Sequence, residues 1–140
     1  MKVFVAGASG AIGKPLIRQL VAAGHEVTGT TRREERAEEI RAAGATAVVC
    51  DVLDRAALEA AVKEAAPEGV VNELTSLPED FDPRKIDYGP TNRVREEGGG
   101  NLMAAAASST WMKEPIPVPG PITGSIRFST CLAIEPLPGV

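Results

Sequence analysis

MKVFVAGASGAIG, residues 1–13, is the stretch on which the reading of this chain turns. Val3 to Ala6 is an apolar run of strand length. Gly7, Gly10 and Gly13 follow as GxxGxxG, and Ile12, Leu16 and Leu20, with Ile17 and Val21 beside them, then recur at the spacing of one helix face. A strand, a glycine-rich turn and a helix start in this order suit a dinucleotide pyrophosphate. Side chains at the glycine positions would block the backbone from the phosphates, and the helix N-terminus offers unpaired N–H donors and a partial positive charge. Backbone groups do the binding, so no lysine is required. Glycines alone are also compatible with a purely structural tight turn, and the following residues separate the two readings.

Those residues repeat the unit. Gly24 ends the first helix, and His25 to Thr31 (HEVTGTT) reads as a second strand. Glu34 to Ala43 is a helix closed by Gly44, Thr46 to Cys50 a third strand, and Asp54 caps a helix running to about Ala66, where Pro67 stops it. Gly69 to Asn72 is a fourth short strand, Glu73 to Pro90 a polar loop, and Thr91 to Ala107 a helix. Gly98, Gly99 and Gly100 weaken that helix by roughly 1 kcal/mol each relative to Ala. Alternating strands and helices, with the strands read as buried and non-alternating, imply an α/β, doubly wound, Rossmann-like parallel sheet with right-handed crossovers and strand order 3-2-1-4. Residues 1–107 form this domain. Residues 108–140 form an atypical tail holding six of the eleven prolines, with one further strand, a fifth, expected at 125–134 (SIRFSTCLAI).

Composition narrows the partners. A chain of 140 residues holds one domain with a core, and 44% hydrophobic and 24% charged residues are values of a globular protein. With 4% aromatics the core rests on Val, Leu, Ile and Ala. A net charge of −4 gives no general attraction to nucleic acid. No apolar stretch approaches the roughly 20 residues needed to span a bilayer, and Lys2 runs directly into a strand without a basic leader, so a cytoplasmic location is expected. Cys50 and Cys131 are read as reduced structural thiols, since no CxxC or Cys/His spacing suggests a metal.

At the end of the second strand, about 20 residues past the glycines, an NAD site usually places an Asp or Glu on the ribose 2′-hydroxyl. Thr30, Thr31, Arg32 and Arg33 stand there instead. Two guanidiniums would fork onto a 2′-phosphate and favour NADP(H) over NAD(H); otherwise they are the solvated start of a helix that continues with Glu34 and Glu35. Asp51, after the third strand, either contacts the adenine or, with Asp54, caps the next helix. His25 is read as a surface residue, and Glu79, Asp80 and Asp82 as a solvated loop.

Together these motifs resemble the short-chain dehydrogenase/reductase superfamily, in its extended and atypical NAD-dependent epimerase/dehydratase-like group. Residues 1–33 are similar to that family's opening unit, CDVLD (50–54) to its third-strand acidic motif, and TNRVREEGGGNLMAAA (91–106) to its fourth-helix motif with an Asn and a GxxNLxxAA pattern. The resemblance covers about residues 1–107. It implies that Gly7, Ser9, Gly10, Ala11, Ile12 and Gly13 line the pyrophosphate, Arg32 and Arg33 the adenosine phosphate, and Asp51 and Val52 the adenine. Leu74 and Thr75 would flank the nicotinamide, and Asn92 would lie near the active site.

The family continues with a catalytic Ser or Thr on a fifth strand and a YxxxK helix. Tyr88 is the only tyrosine and is not followed by a lysine four residues on, so no residue is assigned a catalytic role. Ser129 and Thr130 align weakly with the fifth-strand serine. Such a departure fits a truncated or frameshifted member or a fragment. The expected function is an NADP(H)-binding domain with little remaining catalysis and an unidentified small-molecule substrate. The alternative is a non-catalytic NADP(H)-sensing or protein-interaction module, and an uncovered sheet edge would favour a homodimer.

Overall fold

The computed structural model describes residues 1–77, 82, 84 and 86–108. The expected strand at 125–134, Ser129, Thr130 and Cys131, and the loop carboxylates Glu79 and Asp80 lie outside them.

Strands β1 (Lys2–Ala6), β2 (Glu26–Thr31), β3 (Thr46–Val49) and β4 (Gly69–Asn72) form one parallel sheet in the order β3-β2-β1-β4, as the alternation of strands and helices predicts. Between them run helices α1 (Gly13–Ala22), α2 (Glu34–Ala42) and α3 (Arg55–Ala65). After β4 come α4 (Gly89–Arg93), a π-helical segment (Val94–Gly98) and α5 (Gly99–Ala107).

β1 is covered on both faces. Phe4 and Ala6 pack with Leu58 and Val62 of α3 and Leu102 of α5, while Val3 and Val5 pack with Ile17 of α1 and Ile40 of α2. Successive side chains of a strand point to opposite faces, so this division places α3 and α5 on one side of the sheet and α1 and α2 on the other. Phe4 is fully buried, and truncating it to Ala would cost about 3–5 kcal/mol.

Local signals set the helix ends. Asp54 is the N-cap of α3, its Oδ1 accepting from the Ala57 N–H at 3.1 Å. Gly24 and Gly44 follow α1 and α2 with φ of +83° and +86°, the left-handed conformation that lets a chain leave a helix. Pro15 sits in the first turn of α1, where its missing N–H removes no helical bond.

Two expectations are corrected. Ile12, placed on the apolar face of the first helix, precedes α1 and is 63% exposed, and the buried anchor of α1 is Ile17. The last helix begins at Gly89 rather than Thr91, with Pro90 in its first turn, and widens into the π segment before α5. Gly98 explains why glycine is tolerated there: a Cβ would stand 2.8 Å from Val52 Cγ2.

Candidate functional site

The loops leaving all four strands meet at the carboxyl edge of the sheet around a cleft of about 640 Å³. That edge is where open α/β sheets bind ligands, and the volume is within the range of small-molecule sites.

The turn after β1 forms one wall. Gly7 has φ +84°, and a Cβ there would overlap the backbone carbonyl of Glu73 in the loop after β4. At Gly13 a Cβ would overlap the carbonyls of Gly7 and Ala8. Gly10 differs, because only the Gly7 carbonyl, at 3.2 Å, approaches its Cβ position. The chain's own packing therefore requires glycine at 7 and 13, whereas a side chain at 10 would fill space on the cleft side. Ile12 supplies no side-chain cap to α1, and the first turn of α1 holds no carboxylate. The positive end of this helix beside Gly10 and Ala11 is thus left for an anion.

The end of β2 forms the second wall and is tied to the first. Thr30 and Thr31 are buried; the Gly7 N–H donates to Thr30 Oγ1 at 3.2 Å, and the hydroxyls of Ser9 and Thr31 lie 3.1 Å apart. Arg32 and Arg33 follow at the surface of the cleft, joined by Arg36 from α2. Arg33 and Arg36 also line an adjoining groove with Lys14 of α1. Lys14 is ion-paired with Glu39, and this hydrogen bond holds the Glu39 carboxyl below its ordinary pKa. Lys14 and Arg36 were missed from sequence because each reads as an ordinary solvated helix residue.

Cys50 and Val52, after β3, close the third side. Burial, with smaller contributions from Asp54 and Asp51, pushes the Cys50 thiol pKa up, so it is protonated at neutral pH. Asp51 is exposed and accepts from the Leu53 N–H at 3.0 Å, which folds its own loop; capping α3 falls to Asp54. From α5, Asn101 Nδ2 donates to the Val52 carbonyl at 3.0 Å and holds the same loop. Asn101 is in the GxxNLxxAA pattern, which was the available signal for it.

Leu74, Thr75 and Ser76, after β4, complete the lining, with Val94 of the π segment over them. The Ser76 N–H donates to Thr91 Oγ1 at 3.2 Å, and Arg32 Nη2 reaches Ser76 Oγ at 3.3 Å from the other side of the turn.

The structure thus gathers Gly7, Ser9, Gly10, Ala11, Arg32, Arg33, Val52, Leu74 and Thr75 at one cleft. Ile12, Gly13, Asp51 and Asn92 are outside its lining; Gly13 is buried beneath the turn, and the other three are exposed. Among the described residues, no group of His, Cys, Asp or Glu is arranged to hold a metal, and no helix is long and apolar enough to cross a membrane.

A parallel sheet in this order, with a glycine turn between β1 and α1 and a cleft at its carboxyl edge, defines a Rossmann-like nucleotide-binding part of the short-chain dehydrogenase/reductase kind. The chain belongs to the NAD(P)H-binding family, whose sequence model matches residues 7–110.

A 3-diazoavenalumate denitrifying reductase from a Streptomyces species is 42% identical over 109 residues, covering 78% of this chain and 34% of that protein. The UDP-glucose 4-epimerase of Thermus thermophilus, solved with NAD, superposes with a TM-score of 0.62 at 26% identity, over 78% of this chain and 34% of the other. Yeast methylglyoxal/isovaleraldehyde reductase, solved with NADPH, shares the fold with a TM-score of 0.63 at 23% identity, over 78% and 33%. This chain spans about a third of the length of each.

Proposed function

We propose that this chain is the NADP(H)-preferring cofactor domain of an epimerase/dehydratase-like oxidoreductase, comprising residues 1–107, and that the chain alone turns over little or no substrate. The cationic end of β2 carries this reading. Arg32 and Arg33, with Arg36 beside them, occupy the place where an NAD site sets a carboxylate against the ribose 2′-hydroxyl.

The residues present fit a dinucleotide. The cradle at Gly10, with the uncapped end of α1 behind it, would take the pyrophosphate, and Arg32 and Arg33 the 2′-phosphate. Val52, with Asp51 behind it, would lie on the adenine side; Leu74 and Thr75 would flank the nicotinamide, with Asn92 beyond them at the start of the last helix. When bound, the nicotinamide supplies hydride transfer. The chain's own groups bind and orient it, but the sequence has no YxxxK pair to move the substrate proton, which removes the usual acid/base step.

Calorimetric titration with NADP⁺ and separately with NAD⁺ tests the first clause. Micromolar binding with NADP⁺ at least about tenfold tighter, a difference of roughly 1.4 kcal/mol, is expected. Equal affinities would remove the phosphate assignment, and no binding of either would remove the site. Turnover of NADPH with carbonyl substrates is expected at background, and a robust rate would overturn the second clause.

A second reading, an NADP(H)-responsive interaction module, draws on the sheet edges. Among the described residues β3 and β4 each have one neighbouring strand, and Val49 on β3 is 44% exposed. A cofactor-dependent change to dimer mass in light scattering would favour it, and an unchanged monomer would not.

A further inference from the structure

We infer that Ser76 is a specificity-determining residue of this cleft, acting by positioning the Arg32 guanidinium for a phosphate on the adenosine ribose. The inference rests on the NADP(H) reading and adds a residue to it.

Arg32 leaves the end of β2 and Ser76 lies in the loop after β4, and these strands are the two neighbours of β1. The 3.3 Å contact from Arg32 Nη2 to Ser76 Oγ therefore joins the loops on either side of the glycine turn. An exposed arginine otherwise samples many rotamers, and ordering one costs side-chain entropy. Here the partner is itself fixed. The Ser76 N–H donates to Thr91 Oγ1 at 3.2 Å, and Thr91 is 3% exposed at the start of the last helix.

The contact leaves the guanidinium able to bind. It carries five donors, of which a hydroxyl takes one, so a fork remains for a phosphate. Arg32 lines the cleft together with Ser76, so the held side chain stays on the ligand's side rather than turning outward. A serine hydroxyl is neutral and accepts without competing as a carboxylate would, so the positive charge stays available. An Asp or Glu at position 76 would neutralise it.

The test uses the full chain and titrates NADP⁺ and NAD⁺ against wild type, Ser76→Ala, Ser76→Thr and Arg32→Ala. Ser76→Ala is expected to weaken NADP⁺ roughly three- to tenfold while leaving NAD⁺ within about twofold, a change in ratio that a general loosening of the loop would not produce. Ser76→Thr, which keeps the hydroxyl, is expected to restore the wild-type ratio. Arg32→Ala should lower the ratio at least as far, and adding Ser76→Ala to it should change nothing more. An unchanged ratio in Ser76→Ala, or an equal loss for both cofactors, with Arg32→Ala still lowering the ratio, overturns this inference and leaves the NADP(H) reading standing. An unchanged ratio in Arg32→Ala, in a chain whose wild type prefers NADP⁺, likewise overturns this inference alone, whereas equal affinities of the wild type for the two cofactors overturn both.

Discussion

Gly7, Gly10 and Gly13 look alike in the sequence, yet the structure needs them for different reasons. Gly13 is held by its own chain, since a Cβ would overlap the Gly7 and Ala8 carbonyls, whereas at Gly10 only the Gly7 carbonyl comes near. Gly13→Ala should therefore destabilise the fold by about 1–3 kcal/mol, seen as a lower urea midpoint, because backbone has to shift. Gly10→Ala should leave stability within about 0.5 kcal/mol and weaken NADP⁺ at least about tenfold; unaltered NADP⁺ affinity would move the phosphate cradle elsewhere. Cys50 gives a pH dependence of its own. Burial raises its pKa above the ordinary 9.0, so the folded state holds the thiol proton more tightly than the unfolded chain does. That contribution is fully present below the unfolded pKa and is lost as pH rises from there through the raised folded value. Urea midpoints should accordingly fall more steeply over this window in the wild type than in Cys50→Ala, and parallel curves would remove the effect.

The last helix shows where elements are legible in a sequence and where they are not. Its existence follows from the apolar spacing that buries Val94, Leu102, Ala105 and Ala106. Its π segment does not, because a turn widened over a few residues leaves the apolar pattern almost unchanged. In the sequence the glycine run 98–100 reads as three equal helix penalties, and packing divides them. A Cβ on Gly98 would stand 2.8 Å from Val52, one on Gly99 3.4 Å from Asn72 Nδ2, and one on Gly100 within 4 Å of nothing. Helix propensity should win at Gly100, so Gly100→Ala is expected to stabilise by up to about 1 kcal/mol. Sterics should win at Gly98, where Gly98→Ala pushes on a residue that lines the cleft and should lower both the urea midpoint and the affinity for NADP⁺. Equal shifts for the two variants would show that the close approach at Gly98 has no energetic weight.

At the scale of the molecule, strand order was readable because strands that alternate with helices imply a parallel sheet, and right-handed crossovers leave few ways to order it. The cleft's place at the carboxyl edge follows from the same topology. The long-range ties that hold its walls were not readable: Asn101 to Val52, Thr30 to Gly7 and Arg32 to Ser76 join residues 49, 23 and 44 positions apart, and nothing local in the sequence marks those pairs. Because every wall of the cleft comes from a different strand end, the site exists only when the whole sheet is formed. A ligand that binds it must then stabilise the entire described domain and not one loop. NADP⁺ at a hundredfold excess over its Kd should add about 2.7 kcal/mol to the unfolding free energy, and a cofactor bound tenfold more weakly, at the same concentration, about 1.4 kcal/mol. Urea unfolding followed by circular dichroism, with NADP⁺ and with NAD⁺, reads both as shifts of a single transition. A ligand-dependent shift confined to a separate early phase would instead mean that the cofactor holds only a loop, and that the strand ends do not form their cleft cooperatively.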